Sequence, residues 1–364
     1  MSSEDSRSQS AALVAATPID LRVLSDGLAG HEAQTLGIAE ALGVVPDLRR
    51  VAPRKLYQLI APFGAVDPRE TEARFGSPIA FPWPDIALAA GRRTLPYLKR
   101  LKRISGRKVF TVYVNRPATG ARAADLVVAP LHDGLFGRTV VTPVTPANRV
   151  TPELLAKLRR APDPRVGMLP APRAALLIGG DNRHFKFTPP VATALQDAVR
   201  ALFAAGYSVM ATASRRTPAS LVTALRPVLA EGGGWLWDGL GQNPYFSILA
   251  CADIILVTAD SVSMIGEAVA TGAPVHIFAP SGKSGKIGDY LARLQSQGAV
   301  RPWGGAPEQW SYGPINSTPD IAAAILRAYA IFKGSLTPLP EWRPDNALEG
   351  DGDEDEDCDE AENG

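Results

Sequence analysis

Cysteine, histidine and long apolar runs are all scarce in this 364-residue chain, and each scarcity excludes a class of protein. The two cysteines, Cys251 and Cys358, exclude a disulfide framework and a cysteine-rich zinc site, and the four histidines are too scattered to form a metal signature. No apolar run is long enough to span a bilayer, and residues 2–16 contain Glu4 and Asp5 instead of a compact apolar core. We therefore expect a cytoplasmic protein without a transmembrane helix, a signal peptide or a bound metal.

Acidic residues are concentrated at one end of the chain. The formal net charge is only +1, yet eleven acidic residues and no basic one lie in 345–364, which leaves 38 basic against 26 acidic residues, a net charge of +12, elsewhere. A segment this polar and charged does not pack, so we predict a disordered acidic tail at 344–364 and a basic folded body.

Two basic stretches predict a surface that docks on an anionic membrane. Eight basic residues and no acidic one lie between Arg92 and Lys108, and Arg54 and Lys55 precede the apolar pair Leu59 and Ile60. A membrane that carries a lipid-linked acceptor would attract such a surface, whereas a solvated basic face is the simpler alternative. No aromatic platform or recognition motif accompanies the charge, so we expect no nucleic-acid partner.

Apolar β-branched runs alternate with helical patterns, which predicts an α/β protein. A proline-rich change in composition at 161–173 is the best candidate for a linker. We therefore predict a disordered lead at 1–17, an amino-terminal Rossmann-like domain at 18–160 and a carboxyl-terminal Rossmann-like domain at 174–335. The predicted strands are 19–24, 85–90, 109–114, 125–129, 139–144, 174–178, 208–212, 235–238, 254–257 and 275–278, and the predicted helices include 32–42, 191–204 and 319–332.

The stretch 254–278 reads as a strand, a polar loop, a helix and a second strand. Asp260 and Ser261 supply oxygens that can cap the first amides of that helix. In a right-handed βαβ unit the ligand lies outside the carboxyl ends of the strands, where the helix N-terminus attracts an anion. Ser263 and Glu267 are four residues apart and share one helix face, so they could hold a phosphate and a pair of sugar hydroxyls. An ordinary cap and a solvated glutamate are the alternative.

Two more loops with this character follow predicted strands of the second domain, at 179–184 and 214–218. Glycines in the first allow close backbone approach, and Arg183, His184 or Lys186 could neutralise a diphosphate. Three such loops in one domain indicate a phosphorylated ligand, while ordinary turns with surface arginines are the alternative.

Two better-known nucleotide motifs are not present. The loop at 25–31 lacks the third glycine and the downstream acid of a dinucleotide fingerprint, and Ile277 replaces the first glycine that a P-loop ending at 281–284 would need. A Tyr-x-x-x-Lys pair on a helix is also missing. These observations argue against an ATPase and against a Rossmann-type nucleotide-sugar epimerase.

Several motifs, taken together, resemble the mitochondrial fission ("elongated mitochondria") protein family. They run in the expected order over roughly 19–330, and the high alanine, arginine and proline content favours a bacterial member. Residues 142–149 depart from the pattern, because the family carries a Gly-Ala and a His before Arg149. The matching motifs are Ser25-Asp26-Gly27 with Gly30 and Gln34, Gly91-Arg92-Arg93, Pro130-Leu131-His132-Asp133, Ile178-Gly179-Gly180, 214–218, Asn243-Pro244-Tyr245, Ala252-Asp253, 258–264, Glu267-Ala268 and 271–275.

That family is similar to GT-B glycosyltransferases, especially the enzyme that completes the lipid-linked disaccharide of peptidoglycan. The resemblance implies a GT-B-like α/β fold of two Rossmann-type domains facing across a cleft, with a nucleotide-sugar donor in the second and an acceptor in the first. It implies that Glu267 binds the ribose hydroxyls and Ser261 and Ser263 the diphosphate. Gly179, Gly180 and Arg215 would bind the phosphate region. The predicted donor-site residues are Gly179, Gly180, Arg183, Lys186, Ser214, Arg215, Arg216, Asn243, Tyr245, Thr258, Asp260, Ser261, Ser263, Met264 and Glu267.

An inverting transfer needs a base within hydrogen-bond reach of the acceptor hydroxyl. His31 is the first choice, because its loop should face the cleft, and Asp26, His132 and Asp133 are the other candidates. Arg215 and Lys186 would stabilise the departing diphosphate, so the reaction needs neither a metal nor another cofactor. The expected function is transfer to an envelope or lipid-linked acceptor at the inner face of the membrane. The alternative is a non-catalytic adaptor that recruits a partner protein to a membrane.

Overall fold

The computed structural model describes residues 19–237, 239–282 and 285–336. The predicted lead and the acidic tail lie outside these ranges, as do positions 238, 283 and 284. Within them the chain forms two parallel sheets of six strands each, and helices cover both faces. The predicted α/β class with two Rossmann-type domains is therefore confirmed.

The first sheet is built from the amino-terminal part of the chain. All neighbouring strands are parallel, and β1, β3 and β4 are buried at every position, as expected for a sheet covered on both faces. The spatial order is β2-β1-β3-β4-β5-β6. Its elements are β1 (Leu21–Ser25), α1 (Ala29–Ala41), β2 (Asp47–Arg50), α2 (Lys55–Ile60), β3 (Ile86–Ala90), α3 (Leu95–Ile104), β4 (Phe110–Val114), β5 (Leu126–Val128) and β6 (Val140–Val141).

The second sheet has the order β10-β9-β7-β11-β12-β14, again with every neighbour parallel. A short antiparallel ribbon, β8 with β13, lies beside it. The elements of this part are α4 (Pro152–Arg160), α5 (Pro164–Gly167), β7 (Arg173–Ile178), β8 (Phe185–Lys186), α6 (Pro189–Ala204), β9 (Ser208–Ala213), α7 (Ala219–Glu231), β10 (Trp235–Leu236), α8 (Tyr245–Cys251), β11 (Ile254–Thr258), α9 (Val262–Val269), β12 (Val275–Phe278), β13 (Ser281–Gly282), α10 (Gly285–Ser296), β14 (Val300–Pro302) and α11 (Thr318–Phe332).

Each sheet has one point where the strand order reverses. The first reverses between β1 and β3, and the second between β7 and β11. In open α/β sheets the crevice outside the carboxyl ends of the strands at such a point is where ligands bind. The topology therefore directs attention to the loops after β1 and β3 and to those after β7 and β11.

The division of the helices between the two domains differs from the predicted boundaries. Val166 of α5 and Leu155 of α4 belong to the core of the second sheet, so 161–173 is part of that domain and not a linker. The last helix, α11, lies at the other end of the chain but buries Ile321 and Ile325 in the core of the first sheet. Apolar periodicity predicted α11 to within one residue but did not predict α4 or α5, and it does not show which sheet an apolar face will cover.

The chain crosses between the domains twice, and the two crossing segments lie side by side. Thr145 and Ser317 exchange backbone and hydroxyl hydrogen bonds at 3.1 to 3.2 Å. Asn148 donates its backbone amide to the Thr318 hydroxyl at 2.9 Å, and that hydroxyl donates back to the Asn148 carbonyl at 3.1 Å. The segment 142–149 therefore includes one of the two crossings between the domains.

In the ranges that the structure describes, no helix is both long enough and apolar enough to cross a bilayer.

Candidate functional site

At the carboxyl edge of the second sheet, one buried carboxylate joins the loops after β7 and β11. Asp260 accepts a hydrogen bond from the Gly180 amide at 2.8 Å and another from the Thr258 hydroxyl at 2.7 Å. The same hydroxyl accepts from the Gly179 amide at 2.8 Å. The Asp260 side chain is 0% exposed, and burial raises its pKa. Thr258 and Asp260 therefore position the loops and are not placed for the direct ligand contact that we predicted.

The cap of α9 also differs from the prediction, which assigned it to both Asp260 and Ser261. Ser261 caps α9, because its hydroxyl accepts from the Met264 amide at 3.5 Å, whereas Asp260 points inward to the loop after β7. The first amides of α9 have no acceptor within the helix, so its positive end is directed at the edge. Ser263 is half-buried in the first turn, and Met264 packs against the core of the domain.

The loop after β9 packs against the loop after β7 at the same carboxyl edge of the sheet. Arg216 reaches Asp260 and the Gly180 carbonyl at 3.4 Å each, and a Cβ on Gly180 would collide with the Arg216 backbone. Ser214 and Thr217 hold this turn through an amide-to-hydroxyl hydrogen bond of 2.9 Å. Arg215 is exposed and makes no hydrogen bond or ion pair within the described ranges. Of the two predicted arginines, Arg216 is structural and Arg215 is available to an anion.

The residue predicted to bind ribose, Glu267, is buried in α9 beside α8. The Tyr245 hydroxyl donates to its Oε2 at 2.5 Å, and Asn243 orients the start of α8 by accepting from the Tyr245 amide at 3.1 Å. Burial raises the pKa of Glu267 to about 7, from an ordinary value of 4.5. The structure thus places Asn243, Tyr245 and Glu267, three of the predicted donor-site residues, next to one another.

The cationic residues after β7 lie on the ribbon of β8 and β13. Lys186 is exposed and forms an ion pair of 3.3 Å with Asp181, while Arg183 and His184 are exposed on the turn before it. Asn182 ties this turn to the Asp260 carbonyl at 3.3 Å. These side chains border the edge but do not fill it.

The carboxyl edge of the first sheet holds an aspartate and histidine pair. His31 lies in the first turn of α1, and its Nδ1 is 3.0 Å from Asp26 Oδ1. Asp26 is almost fully buried, whereas the His31 side chain is 29% exposed. Burial favours the neutral acid, but the hydrogen bond and charge of His31 outweigh it and lower the pKa of Asp26. Gly91, at a φ of 90°, leaves the space that this pair occupies, since a Cβ there would lie 2.8 Å from His31 Nδ1.

A cavity of about 230 Å³ opens beside His31. Three of its lining residues, Tyr113, Asn115 and Arg116, were not predicted, although they stand at the carboxyl end of β4, the position that indicated site residues after other strands. Asn115 adopts a left-handed φ of 76° and donates its side-chain amide to Gln34 at 2.8 Å. The other lining residues are Pro62, Gly91, Arg92 and Ala118.

The other two candidate bases lie elsewhere. The His132 ring packs 5.1 Å from the ring of Tyr290 on α10, and burial lowers its pKa. Asp133 forms an ion pair of 3.3 Å with Lys286 at the beginning of α10. Both residues therefore join the two domains, and neither lines the His31 cavity.

No cluster of three or more His, Cys, Asp or Glu side chains that could hold a metal ion occurs among the described residues. The two edges offer an exposed arginine beside the amides of a helix start in one domain and an oriented histidine beside arginines in the other.

Solved structures with a related chain path include UDP-GlcNAc 2-epimerase from Methanocaldococcus jannaschii, with 12% identity, a TM-score of 0.48 and coverage of 86% of this chain and 100% of that one. MurG from Acinetobacter baumannii has 13% identity and a TM-score of 0.44, and covers 87% of this chain and 95% of that one. At these scores no ligand or residue role is transferred to this chain.

Two relatives in sequence are closer. The mitochondrial fission protein ELM1 of Arabidopsis thaliana is 30% identical over 280 residues, which are 70% of this chain and 66% of that protein, just under two thirds of its length. An uncharacterized protein of Rickettsia prowazekii is 25% identical over 289 residues, 69% of this chain and 81% of that one. The family described as mitochondrial fission ELM1 matches residues 29–329. The chain belongs to the mitochondrial fission ELM1 family.

Proposed function

We propose that this protein is a glycosyltransferase that takes a nucleotide-diphospho-sugar at the carboxyl edge of the second sheet and an acceptor at the His31 cavity. The observation that carries the proposal is the set of contacts that Asp260 makes between the loops at this edge. This carboxylate engages the backbone of one loop and the arginine of another, so that Arg215 and the amides of α9 remain for an anionic ligand. Such fixed positive groups need no reorganisation when a diphosphate binds or departs.

Glu267 supports the nucleoside end of this ligand. Its Oε2 accepts from Tyr245, which leaves Oε1 to accept from a sugar hydroxyl one turn along α9 from Ser263. A carboxylate held by a buried tyrosine keeps one rotamer, and that favours selective recognition of a diol.

The His31 cavity supplies the base. In its neutral form, an imidazole that donates its Nδ1 hydrogen to Asp26 has its lone pair on Nε2. In the proposed reaction the acceptor hydroxyl gives its proton to Nε2 and its oxygen bonds to the anomeric carbon. The bond from that carbon to the β-phosphate oxygen breaks, and the nucleoside diphosphate leaves with the electron pair. Arg92 and Arg116 would hold an anionic group on the acceptor.

An exposed apolar surface borders this cavity and supports docking on an anionic membrane. Leu59 of α2 and Phe63 after it are 73% and 74% exposed, and Leu56 is also exposed. Pro62 of the same segment lines the cavity, and the Arg92 guanidinium donates to the neighbouring Ala61 carbonyl at 3.4 Å. A lipid-linked acceptor could pass from a bilayer that holds these side chains directly to His31.

Calorimetric titration with UDP, GDP, CDP and ADP tests the donor site. We expect one nucleotide to bind, and Arg215→Ala to weaken that binding about 10- to 100-fold, the loss expected for a charge-assisted hydrogen bond. Arg226→Ala, which removes another exposed arginine from α7, is the matched control and should change nothing. If none of the four nucleotides binds, the donor-site proposal is wrong.

The second candidate is an adaptor without catalysis. It is favoured by the exposed apolar side chains of α2, and by a relative that is named as a mitochondrial fission protein. An adaptor should bind anionic vesicles without binding nucleotides, and the double variant Leu59→Ser, Phe63→Ser should lose the vesicles. Val45→Ser alters an apolar residue that is even more exposed, at 98%, and lies before β2 and not on α2, so it is the control.

A further inference from the structure

A second cavity, on the first domain, has no place in the proposed reaction. It measures about 550 Å³ and lies between α3, the residues that precede β4 and β5, and the end of α11. It therefore opens at the amino ends of β4 and β5, on the opposite edge of the first sheet from the His31 cavity. The predicted basic run at 92–108 is divided between these two edges, with Arg92 at one and Lys99, Lys102 and Arg107 at the other.

Four cations and one carboxylate line this basic cavity. Lys102 is already held, because its ammonium group lies 2.7 Å from Asp125, 3.0 Å from the Val109 carbonyl and 4.4 Å above the Phe332 ring. Lys99, Arg107 and Arg122 are exposed and make no side-chain hydrogen bond or ion pair among the described residues. Since Lys102 neutralises Asp125, the three remaining cations give the cavity an uncompensated positive charge.

The carboxyl-terminal part of the chain leaves the described structure at this cavity. Phe332, near the end of α11, forms one of its walls, and the described residues end at Leu336. Nine residues further on, at Asp345, begins the segment of eleven acidic residues and no basic one. Nine residues reach at most about 30 Å, so the acidic segment starts within range of the cavity.

We propose that the acidic segment 345–364 of this chain docks in the basic cavity formed by Lys99, Lys102, Arg107 and Arg122. The carboxylates complement the three unpaired cations, and the apolar Phe332 wall lowers the local dielectric around the contact. Because both partners belong to one chain, the local concentration of carboxylates is high and is independent of protein concentration. The bound segment would cover the basic face of this edge and compete with any other polyanion for it.

Zero-length carbodiimide cross-linking of the full chain, followed by mass spectrometry, tests the contact. We expect amide bonds between carboxylates of 345–362 and Lys99, and few to Lys157, an equally exposed lysine on α4. Raising the salt from 0.1 M to 1 M shortens the Debye length from about 10 Å to about 3 Å and should abolish the cross-links. An equal mixture of ¹⁴N and ¹⁵N protein should give products within one chain only.

The double variant Arg107→Ser, Arg122→Ser removes two exposed cations and should lower the yield at Lys99 about fivefold, as expected for two exposed ion pairs. Since neither side chain is buried, folding is unaffected. The proposal is overturned if Lys99 and Lys157 react equally, if the variant gives an unchanged yield, or if mixed-isotope products dominate. It is also overturned if wild type shows no cross-link while the double variant loses binding to anionic vesicles, which would assign the cavity to a membrane.

Discussion

The glycine loop after β1 in the first domain and the glycine loop after β7 in the second lie at equivalent sheet edges but are packed in opposite ways. In the second domain, Gly179 and Gly180 are enclosed, because a Cβ on either would meet the Asp260 carboxylate or the Arg216 backbone. In the first domain, Gly27 and Gly30 have no other atom within 4 Å of the position a Cβ would take. The loop after β7 requires glycine because its neighbours leave no room for a Cβ, whereas the loop after β1 has room for one.

The difference in packing suggests that the two edges have different functions. The second edge fixes its donors before a ligand arrives, which suits the binding of a diphosphate that must be held and then released. The first edge fixes a single imidazole and leaves space around it, which suits acceptors of different shape. The predictions that follow separate binding at the second edge from chemistry at the first, beginning with the largest effect.

Removal of His31 should abolish chemistry and leave binding intact. With His31→Ala we expect the rate of glycosyl transfer to fall about 10² to 10⁴-fold, the usual contribution of a general base. Asp26→Asn should lower the rate as well, since it disturbs the tautomer that Asp26 selects. Affinity for the nucleoside diphosphate, measured by calorimetry, should not change in either variant. If His31→Ala keeps full glycosyl-transfer activity, the base is another residue.

Gly180→Ala should damage the closed edge severely. The new Cβ would collide with the Arg216 carbonyl group, and backbone cannot move aside as a flexible side chain does. We expect a loss of about 3 kcal/mol in the free energy of unfolding, the upper part of the range for overpacking, and loss of nucleotide binding. Urea denaturation measures the first and calorimetry the second. A variant as stable as wild type would show that the loops after β7 and β9 are not in contact.

How much of this could be predicted from the sequence depends on whether the deciding contacts are local. The run 109–114 predicted β4 to within one residue, because a buried parallel strand is a continuous β-branched run. The capping role of Ser261 was also predictable, since a cap contacts an amide only three residues away.

Contacts between distant residues could not be predicted in this way. Asp260 carries the same local signal as Ser261, yet its partner is an amide 80 residues away in the sequence. Likewise, the apolar stripe of α11 does not show which sheet it covers, and in the structure Ile321 and Ile325 pack in the core of the first. Asn115 directly follows β4 and was open to prediction from its position, but its hydrogen bond to Gln34, 81 residues away, was not.

Glu267→Gln should make the second edge more stable, and only above a certain pH. The folded-state pKa of about 7 lies above the ordinary 4.5, so ionisation of Glu267 costs stability as the pH rises through this window. Below about pH 4.5 the cost vanishes, because the acid is protonated in both folded and unfolded protein. Glutamine retains an acceptor for Tyr245 and cannot ionise. We expect a gain on the order of 2 kcal/mol at pH 8, fading to zero at pH 4.

Urea denaturation across this pH range measures the gain. The control is Glu231→Gln, which replaces an exposed glutamate at the end of α7. Its free energy of unfolding relative to wild type should not change with pH. If the difference in the free energy of unfolding between Glu267→Gln and wild type is the same at both pH values, Glu267 is not buried as the structure shows. A gain in stability accompanied by weaker nucleotide binding would mean that the carboxylate is kept at this position for the ligand and in spite of its cost.

Gly30→Ala is the mildest change and examines the open edge. Gly30 is the second residue of α1, its φ is not in the left-handed region, and nothing lies near the position of the new methyl group. Alanine should therefore raise the free energy of unfolding by about 0.5 kcal/mol through the entropy of the unfolded chain. If an acceptor approaches the backbone here, the same methyl group must raise its KM, although the protein has become more stable. Stabilisation without any change in KM would show that the acceptor does not contact α1, and the His31 cavity would then have to be entered from the side of Arg92 and Arg116.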